Sequence, residues 1–174
     1  MYPHPFGVNE ENIVLYNPLL PYGANRLAME TSLMFNSKTA LKSLIVRVPI
    51  IYGKNFKKNI IYDLLFDNEI FKINMDAQLQ IYFAGNLRRY IDIALEHKLR
   101  FLNLATEPIS AKDIALALDK PVDLNDYRMS YPFRYDMHTK HADLFGKEGN
   151  YLQSKQEIID ELIRFKFQIL NGNS

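Results

Sequence analysis

Tyr22, Arg26 and Glu30 follow one another at intervals of four residues. On a helix, residues so spaced stand one above the other on a single face. A permanent cation beside a phenol favours the phenolate. It draws a tyrosine from its ordinary value near ~10 toward the range useful in acid/base chemistry. The same three residues also read as an aromatic at a helix start with a solvated ion pair behind it, and spacing alone leaves both readings open. Either reading needs a helix, predicted from Tyr22 to about Asn36. Asn17-Pro18-Leu19-Leu20-Pro21 is an extended, proline-punctuated approach to it. No further proline follows within it, and Leu27, Ala28, Met29 and Leu33 favour helix.

The full stretch, Tyr22-Gly23-Ala24-Asn25-Arg26-Leu27-Ala28-Met29-Glu30 behind Pro21, resembles the P-Y-G-x-S-K-x-x-x-E segment of the extended short-chain dehydrogenases/reductases, the NAD-dependent epimerase/dehydratase family. The resemblance implies that Tyr22 is the catalytic acid/base. It implies that Arg26, in the lysine position, contacts the nicotinamide ribose and tunes Tyr22. Asn25 stands where a serine is usual. Arginine keeps the charge of lysine but presents a planar fork with different hydrogen bonds.

Further along, Ser43-Leu44-Ile45-Val46-Arg47-Val48-Pro49 is a short, β-branched, nearly continuous apolar run, the pattern of a buried parallel strand. Arg47-Val48-Pro49-Ile50-Ile51-Tyr52-Gly53 resembles the family's R-x-x-N-x-Y-G turn, with Ile50 at the asparagine position; an ordinary strand-to-loop turn fits Tyr52-Gly53 as well. The resemblance implies cofactor contacts at Pro49 and Ile51 beside Tyr22 and Arg26. It implies substrate contacts at Ile50, at Asn59 and Ile60, and at Gln80, which falls near a frequent diphosphate-binding arginine. Phe56, Ile60, Leu64 with Ile61 and Leu65 predict a helix from Asn55 or Phe56 to Phe66. Ile70 to Ile73 and Gln78 to Phe83 read as short strands of a small substrate lobe. Gly85-Asn86 opens a helix with Asn86 as its cap; Leu87, Tyr90, Ile91, Ala94 and Leu95 make its apolar face. Arg100 to Leu104 is another buried strand, and Phe101-Leu102-Asn103-Leu104-Ala105-Thr106 resembles a strand of the family. Ser110 caps a helix, and Met129 to Asp136 reads as a late strand. Ser154-Lys155-Gln156-Glu157 is a capping box for a last helix striped by Ile158, Leu162, Phe165 and Ile169. Residues 1–20 read as loop, punctuated by Pro3, Pro5 and Pro18.

Composition narrows the function classes. A chain of 174 residues suggests one domain, residues 1–174, with enough bulk for a core. A net charge of +1 argues against a dedicated nucleic-acid binder. Lys54, Lys57 and Lys58 form the densest basic cluster, which suits a solvated helix start as well as a phosphate site. With no cysteine there is neither a disulfide framework nor thiol chemistry. Residues 1–12 have no basic, apolar leader pattern, and the apolar run from Leu44 to Ile51 is too short to span a bilayer, so a cytoplasmic protein without membrane contact is expected. His138 and His141 lack the further ligands of a zinc site, so no metal is expected. No G-x-S-x-G elbow is present.

The seven glycines, at 7, 23, 53, 85, 146, 149 and 172, build no G-x-x-G-x-x-G or G-x-G-x-x-G loop for a pyrophosphate. The resemblance therefore covers the family's second half. It predicts an α/β fold, the C-terminal part of a Rossmann-like parallel sheet with flanking helices and a small substrate-binding lobe. The implied function is the substrate-side part of an NAD(P)-dependent nucleotide-sugar epimerase, dehydratase or reductase, with NAD or NADP bound poorly by this chain alone. The alternatives are a non-catalytic binding or interaction module and one chain of a split enzyme. In the implied fold the strand from Leu44 to Val48 lies between the strand at Phe101 to Leu104 and one preceding Met1. An open edge there, and apolar Leu27, Met29, Leu33 and Met34 on the first helix, predict association with another copy or with a missing N-terminal half.

Overall fold

The computed structural model describes residues 5–12, 21–35, 43–120 and 134–172. Strand β1 (Phe6–Val8) precedes helix α1 (Pro21–Phe35), β2 (Ile45–Arg47), β3 (Ile50–Tyr52) and α2 (Ile60–Leu65). Then come β4 (Gln78–Leu79), β5 (Ile81–Phe83), α3 (Leu87–Glu96), β6 (Phe101–Asn103), β7 (Ile109–Ser110), α4 (Ala111–Ala117), β8 (Asp136–Met137) and α5 (Lys155–Leu170). β2 runs parallel to β6, β3 to β5 and β1 to β8, while β4 and β7 are antiparallel. Parallel neighbours need long crossovers, and helices supply them here. The result is the expected α/β, Rossmann-like arrangement, with Ile45, Val46 and Arg47 opposite Phe101, Leu102 and Asn103.

The helices cover these strands because their apolar stripes match. On α5, Ile158, Leu162 and Phe165 are buried, and Ile159, Ile163 and Ile169 pack beside them, as the period predicts. They meet Ile61 and Leu64 of α2, Ile114 and Ala115 of α4, and Tyr52 and Ile81 of the sheet. Each such side chain contributes roughly 1.5–3 kcal/mol of burial. A second cluster joins Tyr82, Tyr90, Ala94, Leu102, Leu104 and Leu152. Two of the three predicted caps form: Ser110 Oγ accepts from Asp113 N at 3.0 Å, and Ser154 with Glu157 makes a reciprocal capping box.

Several boundaries differ from expectation. α2 begins at Ile60, after the Asn55 or Phe56 start that the stripe suggested. Asn55 takes a left-handed backbone, φ 74°, and the Phe56 amide turns back to the Gly53 carbonyl, so Asn59 becomes the cap. Ile70–Lys72 is a 3₁₀ turn where a strand was expected, opened by Glu69 at φ 48°. A four-residue apolar run carries too little period to tell these apart. The strand expected from Gln78 to Phe83 breaks at Gln80 into β4 and β5, which pair with different partners. Asn86 makes no cap bond; its side-chain amide donates to Glu161 at 2.7 Å. Within the loop expected at residues 1–20, Phe6–Val8 forms a strand. Of the late strand expected from Met129 to Asp136, residues 129–133 lie outside the described ones, and Asp136–Met137 forms β8.

Gln80 explains the break. It is 1% exposed, and its amide nitrogen donates to the carbonyls of Thr106, at 2.5 Å, and Met137, at 2.7 Å. Its side-chain oxygen accepts from Met137 N at 2.8 Å. One side chain thus joins three segments that have no common ladder. Replacing it with leucine leaves a buried amide and carbonyls without this partner, each worth about 1–3 kcal/mol. Urea unfolding of Gln80→Leu is expected to show a loss of about 2–4 kcal/mol. A stability unchanged from wild type would contradict the role given to this side chain.

Candidate functional site

α1 presents the first two chemistry-bearing residues. Pro21 sits at its first position, where a missing N–H costs nothing. Tyr22 and Arg26 are brought together: Arg26 Nε donates to the Tyr22 hydroxyl at 3.2 Å, and its guanidinium carbon lies 5.1 Å from the ring centroid. Tyr22 is 59% exposed.

Glu30, expected behind Arg26, turns instead to Arg47. Arg47 reaches it through Nε at 3.2 Å and through a second nitrogen at 2.7 Å. The two side chains are 10% and 13% exposed, and the Arg47 guanidinium also lies over the Phe101 ring at 5.2 Å. Burial pushes the Glu30 carboxyl up, but the hydrogen bonds and charge of Arg47 lead the opposing contributions, which together hold the group below the usual carboxylate range. Gly23 is the one buried residue of α1, so this ion pair is a main tie between the helix and β2.

From Arg47 the chain runs directly into Pro49, Ile50 and Ile51. Ile50 N donates to the Gln80 carbonyl at 3.2 Å. The Ile51 carbonyl accepts from Asn59 Nδ2 at 3.1 Å, while Asn59 Oδ1 accepts from Tyr62 N at 2.9 Å. Asn59 and Ile51 are therefore joined, with the amide of Asn59 occupied in shaping the turn. Ile50 and Ile60 pack in part against the main core. Gln80, expected at a diphosphate, faces the interior, and its amide is committed to Thr106 and Met137. Its neighbours in sequence are buried apolar residues, Leu79 and Ile81, and it shares their environment.

These residues fit a nicotinamide cofactor only at one edge. Tyr22 and Arg26 could present a hydroxyl and a cation to a ribose. Among the described residues no glycine-rich loop forms a cradle of backbone amides for the pyrophosphate: the glycines are dispersed, with Gly23 inside α1, Gly53 just after β3, Gly85 in a 3₁₀ turn and Gly146 ending another.

Two polar constellations escaped the sequence reading. Glu10 accepts from Asn103 N at 2.7 Å, from Thr139 Oγ1 at 2.7 Å and from Lys140 N at 3.0 Å. Asp136, His138 and Tyr151 form a triangle. Tyr151 donates to Asp136 Oδ1 at 2.5 Å, and His138 Nε2 lies 3.1 Å from that oxygen and 3.2 Å from the Tyr151 hydroxyl. Burial, then the bond and charge of Asp136, push the Tyr151 phenol up. Glu10 and its partners, 93 to 130 residues apart, leave no local sequence signal; in the triangle Asp136 and His138 are two apart, but Tyr151 joins them from 13 residues further on. Among the described residues no group of three His, Cys, Asp or Glu could hold a metal ion, and no helix is long and apolar enough to cross a membrane.

The fold is that of solved nucleotide-sugar enzymes. The chain is similar to a UDP-N-acetylglucosamine 4-epimerase from Bacillus cereus, with 19% identity and a TM-score of 0.64 over 95% of this chain and 57% of that one. It is similar to a UDP-galactose 4-epimerase, with 13% identity and a TM-score of 0.63 over 96% and 58%. A dTDP-glucose 4,6-dehydratase from Bacillus anthracis, solved in complex with NAD, gives 14% identity and a TM-score of 0.64 over 95% and 56%. At these identities the likeness is one of fold, and the chain spans less than three fifths of the length of each structure. No family model and no curated protein matches the sequence.

The Glu30–Arg47 pair has a pH signature. Because the folded carboxyl titrates below its ordinary value near 4.5, its contribution is complete above that value and is lost as pH falls through the folded one. Glu30→Gln is expected to flatten this part of the acid unfolding curve. Arg47→Met is expected to cost about 2 kcal/mol at neutral pH, less than the roughly 3–5 of a fully buried pair. Chemical unfolding between pH 3 and 7 reads both, and identical acid limbs for Glu30→Gln and wild type would refute the assignment.

Proposed function

We propose that this chain is the substrate-side portion of an NAD(P)-dependent nucleotide-sugar epimerase, dehydratase or reductase, acting as one domain. The observation that carries the reading is the Tyr22–Arg26 pair, a phenol with a guanidinium donating to it at 3.2 Å, set at the start of a helix in a fold shared with such enzymes. On this reading Tyr22 takes or returns the proton of a sugar hydroxyl, and Arg26 holds the phenol in place and meets the ribose. Pro49 and Ile51 line the cofactor side of the turn, and Ile50, Asn59 and Ile60 the sugar-nucleotide side. A bound nicotinamide supplies the hydride chemistry. The loop that grips its pyrophosphate lies outside these 174 residues, in the same or a separate polypeptide. The expected setting is cytoplasmic, with no nucleic-acid or membrane partner.

A second reading, a binding module without catalysis, is favoured by three departures from the family pattern: Arg26 for lysine, Ile50 for asparagine, and a buried Gln80 for arginine. Turnover decides between them. In a preparation containing a dinucleotide-binding half, Tyr22→Phe is expected to lower turnover of a UDP-sugar about 10²–10⁴-fold, the usual weight of acid/base catalysis, with substrate affinity kept. Full activity in Tyr22→Phe would remove the catalytic reading; nucleotide-sugar binding without turnover in the wild type would favour the module.

Two expectations concern the chain by itself. Titration calorimetry should give an NAD affinity weaker than roughly 100 μM, because no loop here neutralises the pyrophosphate. A low-micromolar affinity would overturn that. Light scattering behind size-exclusion chromatography should show self-association at micromolar concentration. Met29, Leu33 and Phe35 of α1 are exposed, and among the described residues β2 has β6 as its only strand neighbour. A sharp monomer peak with cooperative unfolding would show that the chain closes its own edge.

A further inference from the structure

A cleft of about 270 Å³ lies between the turn at residues 53–56, α2 and α5. Neither Tyr22 nor Arg26 lines it. Its walls are aromatic. Tyr62 and Phe66, one helical turn apart on and just after α2, have ring centroids 4.8 Å apart, and Tyr52 meets Phe165 of α5 edge-on at 5.3 Å. Phe56 closes one side. Its amide donates to the Gly53 carbonyl at 3.2 Å, and Asn55 takes the left-handed backbone that asparagine tolerates. The turn is close-packed at Gly53, where a Cβ would stand 3.1 Å from Ala84 Cβ and 3.6 Å from the Phe56 ring.

The same turn sets charge at the mouth. Lys54 and Lys57 flank Phe56, and both are exposed and line the cleft. Neither forms an ion pair with another described residue. The carboxylates nearest in sequence on α2 are engaged elsewhere: Asp63 accepts from Asn68 at 2.7 Å, and Asp67, just beyond the helix, from Lys120 at 2.9 Å. Phe56 and Phe66 remain 41% and 56% exposed, so apolar surface and uncompensated cations share one rim.

We propose that this cleft binds a small aryl anion: a one- or two-ring aromatic body seated among Tyr52, Tyr62, Phe66 and Phe165, with a carboxylate or phosphate held by Lys54 and Lys57. Burial of the rings supplies an attraction that grows with apolar area, and offset or edge-on ring contacts add to it. The lysines select an acid over its neutral isostere. Size limits the ligand, because the cleft falls just below the roughly 300–1,000 Å³ of pockets for drug-sized molecules. A whole nucleotide sugar exceeds it. The proposal goes beyond the Tyr22 reading and does not need it, although Asn59 borders both regions.

The test is calorimetric titration of the full chain with 2-naphthoate and with neutral 2-naphthamide. Naphthoate is expected to bind with a Kd below about 1 mM. Naphthamide, and naphthoate on the Lys54→Glu/Lys57→Glu variant, are expected to bind at least about fivefold more weakly, and added salt should weaken naphthoate alone. Both lysines are exposed, and circular dichroism with a thermal melt checks that the variant is folded. Tyr22→Phe should bind naphthoate as wild type does, which separates this proposal from the catalytic one. Absence of naphthoate binding at millimolar concentration, equal affinity for the amide, or indifference to the double substitution would each overturn the proposal. So would displacement of naphthoate by UDP-N-acetylglucosamine, since the cleft would then belong to the nucleotide-sugar site.

Discussion

Strand pairing among the described residues is short, two or three residues in each ladder. Ladders of that length leave donors and acceptors at their ends, and a buried backbone group without a partner costs about as much as a lost hydrogen bond. Side chains meet this need. Gln80 serves Thr106 and Met137, Asn103 Nδ2 donates to the His138 carbonyl at 2.9 Å, and Glu10 gathers the Asn103 and Lys140 amides. These three side chains are therefore connectors, and each fixes the relative position of segments that pair only briefly.

The candidate site inherits its geometry from such connectors. Tyr22 and Arg26 lie on a helix with little buried surface of its own. Among the described residues a main tie to the sheet is the Glu30–Arg47 ion pair, backed by the Phe101 ring. Arg47 belongs to β2, which leads within three residues into the turn that carries Ile50 and Ile51. Asn59 then closes that turn onto the start of α2. One continuous run of covalent and hydrogen bonds thus links the phenol to the segment where a sugar nucleotide is proposed to lie.

Beyond that turn the same chain changes character. Residues 54–57 are exposed, fold Phe56 back over Gly53 and leave two lysines without carboxylate partners among the described residues, beside an aromatic cleft. α2 serves both sides. Ile61 and Leu64 enter the core, while Tyr62 and Phe66 form an outer wall. A helix of six residues can do this because its remaining face is not needed to hold it in place.

Local rules read from sequence were sufficient for the helices at Pro21–Phe35, Leu87–Glu96 and Lys155–Leu170 and for the caps at Ser110 and Ser154, whereas the pairing of Ile45–Arg47 with Phe101–Asn103 was expected only from the family resemblance. The helices and caps depend on periodicity, on a proline at a helix start and on hydroxyl caps, all set within a few residues. The Tyr22–Arg26 contact was legible for the same reason, as an i,i+4 pair. What the tertiary structure alone decided were the partners of long polar side chains. Glu30 chose Arg47, 17 residues away, over Arg26; Gln80 turned inward; and Glu10 and the Asp136–His138–Tyr151 triangle drew together residues with no shared local pattern. A charged or amide side chain bonds whichever unsatisfied group the fold brings within about 3 Å, and that choice exists only once the chain has closed on itself.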